Sequence, residues 1–315
     1  MKKIIILPIV LGSILLIGGA AIFAIAIKNV ADNSPIKTNT YEVSDFTSFN
    51  IDLDTADLEF KASTDGSSKV VCNEREKEYH TVEVKDHVLN VESHDDRKWY
   101  EKMFNIHFEK MKVTIYVPSD TYGELKIETA TGDILVPNDF TFSDMNISVS
   151  TGDVRVKSNV TNDANIKTST GDISLEMNAK NFNITSSTGH QDYKNVNASG
   201  SMKLKASTGH VKMNDVKAPK LDIEVSTGGV KLTNTLVTED IKIKTSTGDV
   251  SLVDSDAESL DIETDTGDVN LTLLTTKIFD VRTHTGKTKY PTSTSGGLCK
   301  VHTHTGDVTI VIKNA

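Results

Sequence analysis

The stretch Lys242-Ile243-Lys244-Thr245-Ser246-Thr247-Gly248-Asp249-Val250-Ser251-Leu252 decides the fold. Apolar and polar residues alternate on both sides of Thr247-Gly248-Asp249. Side chains of an extended strand point to opposite faces in turn, so a period of two marks a strand with one buried face. Gly-Asp between two such runs marks a tight turn, because glycine admits a positive φ and aspartate bonds to nearby backbone. The unit reads as strand, turn, strand.

Outward from there the same unit recurs ten times, with glycines at Gly132, Gly152, Gly171, Gly189, Gly209, Gly228, Gly248, Gly267, Gly286 and Gly306. Successive spacings are 20, 19, 18, 20, 19, 20, 19, 19 and 20 residues, and threonine precedes every one of these glycines. Five residues before the glycine each unit has an aliphatic side chain, from Ile127 through Ile243 to Val301. Seven before it, each unit is apolar, from Leu125 to Cys299. Two and four after it aliphatics dominate again, as in Val154 with Val156, and Gln191, Tyr193, Thr288 and Tyr290 are the departures.

One such unit is too small to bury its own apolar face. Stacking units in register at ~4.8 Å buries a continuous column and pairs the backbone. The sequence therefore predicts an all-β fold, a parallel β-solenoid (β-helix) of about ten coils of 19–20 residues. Parallel crossovers make it right-handed, and the rod is on the order of 45 Å long. The drift in spacing belongs to the corner after the second strand, where added length costs little.

Asp54-Thr55-Ala56-Asp57 looks like a degenerate copy of the same turn. Strand-like runs follow at Lys69–Cys72, Thr81–Val84, Val88–Val91 and Met111–Val117, with Lys85-Asp86-His87 as a hairpin. Residues 41–118 are expected to form an N-terminal β cap over the first coil, and 119–315 the repeats. No cap is visible at the other end, where Lys313 and the tail, or a partner, are expected to blunt the open edge.

Residues 1–3 read as a cytoplasmic stub, and Ile4 to Ile27 carries no charged residue. At ~1.5 Å per residue that run is long enough to span a ~30 Å hydrocarbon core. It predicts one transmembrane helix before the solenoid, with Lys2 and Lys3 inside and the C-terminal domain extracellular. The alternative is a signal peptide cleaved near Ala24-Ile25-Ala26. Residues 28–40 read as a linker, being polar and containing Pro35. The membrane is thus an expected partner, and the expected location is the cell membrane, single-pass.

The formal net charge of −10 argues against a nucleic-acid partner, which needs a basic face for phosphates. The only cysteines are Cys72 and Cys299, which belong to opposite ends of the expected rod. They are expected to be free thiols, since a disulfide needs Cα atoms within ~7 Å.

The Ser-Thr-Gly-Asp repeats at Ser150–Val154, Ser169–Ile173 and Ser246–Val250, led in by Val88–Val91 and Val113–Pro118, resemble the bacterial candidate-adhesin family that includes LiaG-like proteins of envelope-stress operons. The resemblance covers roughly residues 45–312. It implies a β-helical fold at the cell surface or envelope, and it brings no catalytic residues.

Four candidate sites stand out. Asp133, Asp153, Asp172, Asp249, Asp268 and Asp307 form an acidic column after the turn glycine, interrupted by His190, His210, Gly229 and Lys287. Such a column suits Ca²⁺, or else each aspartate caps its own turn. Asp265, His284 and His304 share an outward column with His302 two residues away, a pattern that could hold Zn²⁺. Thr-x-Thr pairs such as Thr245/Thr247 repeat along the rod, but their first member has the parity of the buried aliphatics and is expected to face inward. Trp99, Tyr100, Phe104 and Phe108 offer a ligand platform, or core for the cap.

No G-x-S-x-G, phosphate loop or metalloprotease pattern occurs, and the acids do not converge. The chain is expected to be no enzyme and to need no cofactor. The function read from sequence is a membrane-anchored extracellular adhesin or envelope-binding protein, its partner a cell-wall polymer or surface protein. The alternative is an accessory in envelope-stress sensing that acts through a protein partner.

Overall fold

The computed structural model describes residues 35–99 and 111–313. Among them the strands form two sheets, of 14 and 16 strands. The long strand of each repeat, such as Thr141–Thr151 or Leu236–Thr247, lies in the second sheet and ends at the turn. The short strand after the turn, such as Val154–Val156 or Val250–Val253, lies in the first. Neighbouring repeats pair in parallel with like over like: Ile147 faces Ile127 and Ile166, and Ile243 faces Ile223 and Ile262. All of these aliphatics are buried in one continuous core. The chain is a parallel β-solenoid.

The turn glycines are forced twice over. Gly248 has φ +150°, and a Cβ on it would stand 2.1 Å from the carbonyl oxygen of Gly228 in the coil below. No side chain fits while the coils stay at strand spacing. A second corner carries Asn195, Asp215, Asn234 and Asp254, all with φ between 50° and 58°. These two residue types tolerate that region best after glycine. The spacing drift falls beside the third side of the coil, where the register shifts between Ala218 and Lys220.

The column departures at Gln191 and Tyr193 are fully buried yet satisfied. Tyr193 Oη donates to Gln191 Oε1 at 2.8 Å, and Gln191 Nε2 donates to Ser186 Oγ at 2.8 Å and to the Lys205 carbonyl at 2.7 Å. A complete network of this kind is tolerated in a dry core.

At the N-terminal end, Ser48–Thr55 and Asp57–Ala62 form a true coil around Ala56, whose amide donates to the Thr131 carbonyl at 3.0 Å. Phe49, Phe60, Phe140 and Phe142 plug its interior, with ring centroids 5.3 to 6.3 Å apart. Parallel strands Val88–Asp95 and Lys112–Val117 extend the two sheets, and antiparallel strands Glu78–Lys85, Ser68–Glu74 and Lys37–Val43 finish them. Asp86 and His87 both take positive φ at the expected hairpin. The strand Lys37–Val43 begins inside the stretch expected as linker.

Two expectations are corrected here. Among the described residues no helix is long and apolar enough to cross a membrane. The run Ile4–Ile27 lies outside them, and the described chain is built from strands. The expected transmembrane helix, membrane partner and single-pass location find no support among the described residues.

The second correction concerns order. The coils stack in chain order from Gly132 to Gly267, but Gly306 rests on Gly267, and Gly286 rests on Gly306. The strand Gly297–Thr305 inserts between Ser259–Thr266 and Lys277–Thr285. The outermost coil is that of Gly286, not the C-terminal strand, and Lys313 pairs with Asp254 at 2.7 Å. A buried clamp holds the loop that skips the vacated level. Asp256 Oδ2 accepts from the amides of Leu274 and Thr275 at 3.0 and 2.6 Å, and Asp256 Oδ1 meets Lys277 Nζ at 2.8 Å. The returning strand enters through Gly296 and Gly297, where a Cβ would stand 1.9 Å from the Thr276 carbonyl oxygen and 1.8 Å from that of Glu258.

Candidate functional site

The turn edge is a ladder in which each coil caps the next. Asp57 Oδ1 accepts from the Asp133 amide at 2.9 Å, Asp133 Oδ1 from Asp153 at 3.0 Å, Asp153 Oδ1 from Asp172 at 2.9 Å, and Asp172 Oδ1 from His190 at 2.7 Å. The two histidines continue it: His190 Nδ1 accepts from the His210 amide at 3.1 Å, and His210 Nδ1 from the Gly229 amide at 2.8 Å. Beyond the next coil it resumes through Asp249, Asp268 and Asp307, each at 2.7 or 2.8 Å, ending on the Lys287 amide. The acidic column thus caps turns, but the turn of the neighbouring coil rather than its own. One carboxylate oxygen of each acid in the ladder is committed to that bond.

The ladder breaks once. Gly229 has no side chain, so the Asp249 amide lacks the acceptor that its counterparts have. A surface groove of about 930 Å³ lies over the break, lined among others by His190, His210, Lys212, Lys231 and Asp249. Lys212 and Lys231 are register partners on adjacent short strands. The imidazoles of His190 and His210 stack with centroids 5.3 Å apart at 8°. Because each Nδ1 accepts, each neutral ring carries its proton on Nε2. The groove therefore gathers two imidazole N–H groups, two ammonium groups and a backbone amide beside the Asp249 carboxylate. Flat ring faces lie beside them. Such groups can donate hydrogen bonds to oxygen acceptors.

The histidine patch lies at the far end, reordered by the inserted coil. The register sets His304 between Asp265 and His284, and the His284 and His304 rings stack at 4.9 Å. His302 stands beside Asp280, with Nε2 to Oδ2 at 3.7 Å. Among the described residues, the group that brings three His, Cys, Asp or Glu ligand atoms within 4.8 Å of one another lies elsewhere, in the N-terminal cap.

The first threonine of each Thr-x-Thr pair faces inward as expected. Thr168, Thr245 and Thr264 are buried, and Thr245 Oγ1 and Thr264 Oγ1 donate to the carbonyls of Gly228 and Gly248 at 3.3 Å. These hydroxyls brace the turn of the adjacent coil and are not an exposed array. Both cysteines are free and buried. Trp99 is exposed, whereas Tyr100, Phe104 and Phe108 lie outside the described residues. The groove itself was not foreseen, although its signal, the loss of the side chain at Gly229, stands in the sequence.

The sequence profile of the Toastrack DUF4097 family matches residues 46–235 and 200–315. No curated protein matches the chain. Among solved structures, one named as a candidate adhesin from Parabacteroides distasonis is 16% identical, with a TM-score of 0.56, over 76% of this chain and 98% of that one. One named as a candidate adhesin from Bacteroides fragilis is 18% identical, with a TM-score of 0.45, over 88% and 97%. One named as a candidate lipid-binding protein from Parabacteroides distasonis is 15% identical, with a TM-score of 0.45, over 85% and 98%. At such identities the first of these shows likeness of fold alone.

Proposed function

The chain belongs to the Toastrack DUF4097 family, and on that premise we propose that it is a non-catalytic, adhesin-like binding module of the bacterial cell surface, whose groove at Gly229 takes an oxygen-rich cell-wall polymer. The observation that carries this reading is the single break in the turn ladder, which leaves an unmatched amide beside two lysines and two stacked imidazoles. A repetitive rod suits a repetitive partner, because successive coils offer the same spacing along the polymer. The adhesin name of one protein with a related fold supports the same reading.

Sedimentation of the protein with purified wall material tests it. Gly229→Asp restores the missing acceptor and fills the break. Its Cβ would lie 3.1 Å from the Asp249 carbonyl oxygen, which needs a shift of only tenths of an ångström. This variant, and Lys212→Glu with Lys231→Glu, are expected to sediment less while melting like the parent. Equal sedimentation of all three contradicts the groove. Retention of a surface protein in place of wall polymer favours the envelope-stress reading.

A further inference from the structure

We propose that the N-terminal cap holds a Zn²⁺ ion between Cys72, Glu74 and His80. The residues come from two strands, Ser68–Glu74 and Glu78–Lys85, that sit in different sheets and are joined by the tight turn at Arg75–Glu78. Cys72 and Glu74 lie two apart on one strand and so face the same way. His80 comes to meet them from the other side of the turn. Each of the three offers one ligand atom within 4.8 Å of the other two, and all three residues are buried.

The local bonding leaves coordinating capacity unused. His80 Nδ1 lies 3.1 Å from Glu74 Oε1, and the His80 amide donates to that same oxygen at 2.8 Å. His80 Nε2 is buried without a hydrogen-bond partner. The other carboxylate oxygen, Glu74 Oε2, takes a hydrogen bond from Asn39 Nδ2 and lies 3.4 Å from Tyr41 Oη. A carboxylate, an imidazole and a thiol packed together in a dry place are costly as bystanders. Held by one cation, they become mutually stabilising.

The donor set selects the metal class. One sulfur, one nitrogen and one oxygen suit Zn²⁺, whereas Ca²⁺ and Mg²⁺ want oxygen alone. Binding replaces the S–H bond of Cys72 with an S–Zn bond and releases that proton to solvent. The fourth position falls to water or to Tyr41. The ion would tie the two sheets together at the end where the solenoid's own coils have given way to hairpins, as structural zinc does in small domains.

The test uses the full chain, expressed in zinc- or cobalt-supplemented medium and purified without chelator. The expected result is about one metal per chain in the parent and in Cys299→Ser. Cys72→Ser and His80→Ala should retain at least tenfold less, in line with the roughly 10- to 100-fold that even an outer partner of a metal site is worth. The cobalt form of the parent should show a thiolate-to-cobalt absorption band, which the surface histidines His284, His302 and His304 cannot produce. That band reports the site even if a variant fails to fold. A folded parent without metal or band overturns the proposal, as does a band that persists in Cys72→Ser.

Discussion

Asp172 Oδ1 accepts a hydrogen bond from the backbone amide of His190, one coil further along the rod, at 2.7 Å. A side chain of one repeat thus completes the turn of the next, and the stack is held at its edge as well as through its core. Removing that acceptor in Asp172→Ala leaves the His190 amide to water. The expected cost is about 1 kcal/mol, read as a lower midpoint in chemical denaturation with an unchanged slope. His190→Asp keeps an acceptor at the next level and is expected to be near neutral by the same measurement.

Gly248 tests how closely the turns approach. An added Cβ would meet the Gly228 carbonyl oxygen at 2.1 Å, and φ +150° is unfavourable for any side chain. Gly248→Ala is expected to cost about 3 kcal/mol or more, from strain and overpacking together. Thermal melts of this variant beside Gly66→Ala make the comparison. Gly66 also has positive φ, at +74°, but its Cβ would meet nothing within 4 Å.

Asp256 and Lys277 form a buried ion pair at 2.8 Å where the chain steps over the level later filled by its own C-terminal strand. Breaking such a pair strands the remaining charge. Asp256→Ala is expected to cost about 3 to 5 kcal/mol. The loss should appear first as faster hydrogen exchange over residues 274–312, ahead of global unfolding. Uniform exchange along the rod would contradict the clamp.

Burial pushes both thiols up to about 12, with a secondary push from Glu74 at Cys72. Cys299 is therefore expected to stay protonated and inert from pH 7 to 10 in the folded protein, and so is Cys72 whenever no metal is bound. Alkylation without reductant, followed by intact-mass analysis, should add nothing to the native chain and two groups after denaturation. Modification of the native chain at neutral pH contradicts the burial.

The solenoid was legible because the repeat imposes one constraint many times over. Ile127, Ile243 and Val301 occupy the same column, and each must be aliphatic for its neighbours to be buried. What escaped the sequence was order, since spacings of 19 and 20 residues around Gly286 look the same whether that coil is inside or outermost. Two signs become readable only afterwards. Thr288 stands where most other coils have an aliphatic residue, as an outermost level permits, and Gly296-Gly297 marks where a strand squeezes between two others. The cap triad escaped because Glu74 and His80 look like ordinary surface residues until the sheets are closed over them. Gly229 was seen as an interruption of the acidic column, but its effect depends on an amide contributed by the next coil.

The fold depends most on coils that stack in register, with the C-terminal coil placed inside the one that precedes it. Paired cysteines read this directly. Parallel neighbours lie about 4.8 Å apart, within reach of a disulfide, and strands two levels apart are not. Asp265→Cys with His304→Cys is expected to crosslink on mild oxidation, because these outward residues sit side by side. Asp265→Cys with His284→Cys is expected to stay reduced, because His304 lies between them. Closure of the second pair, with the first left open, would contradict the account.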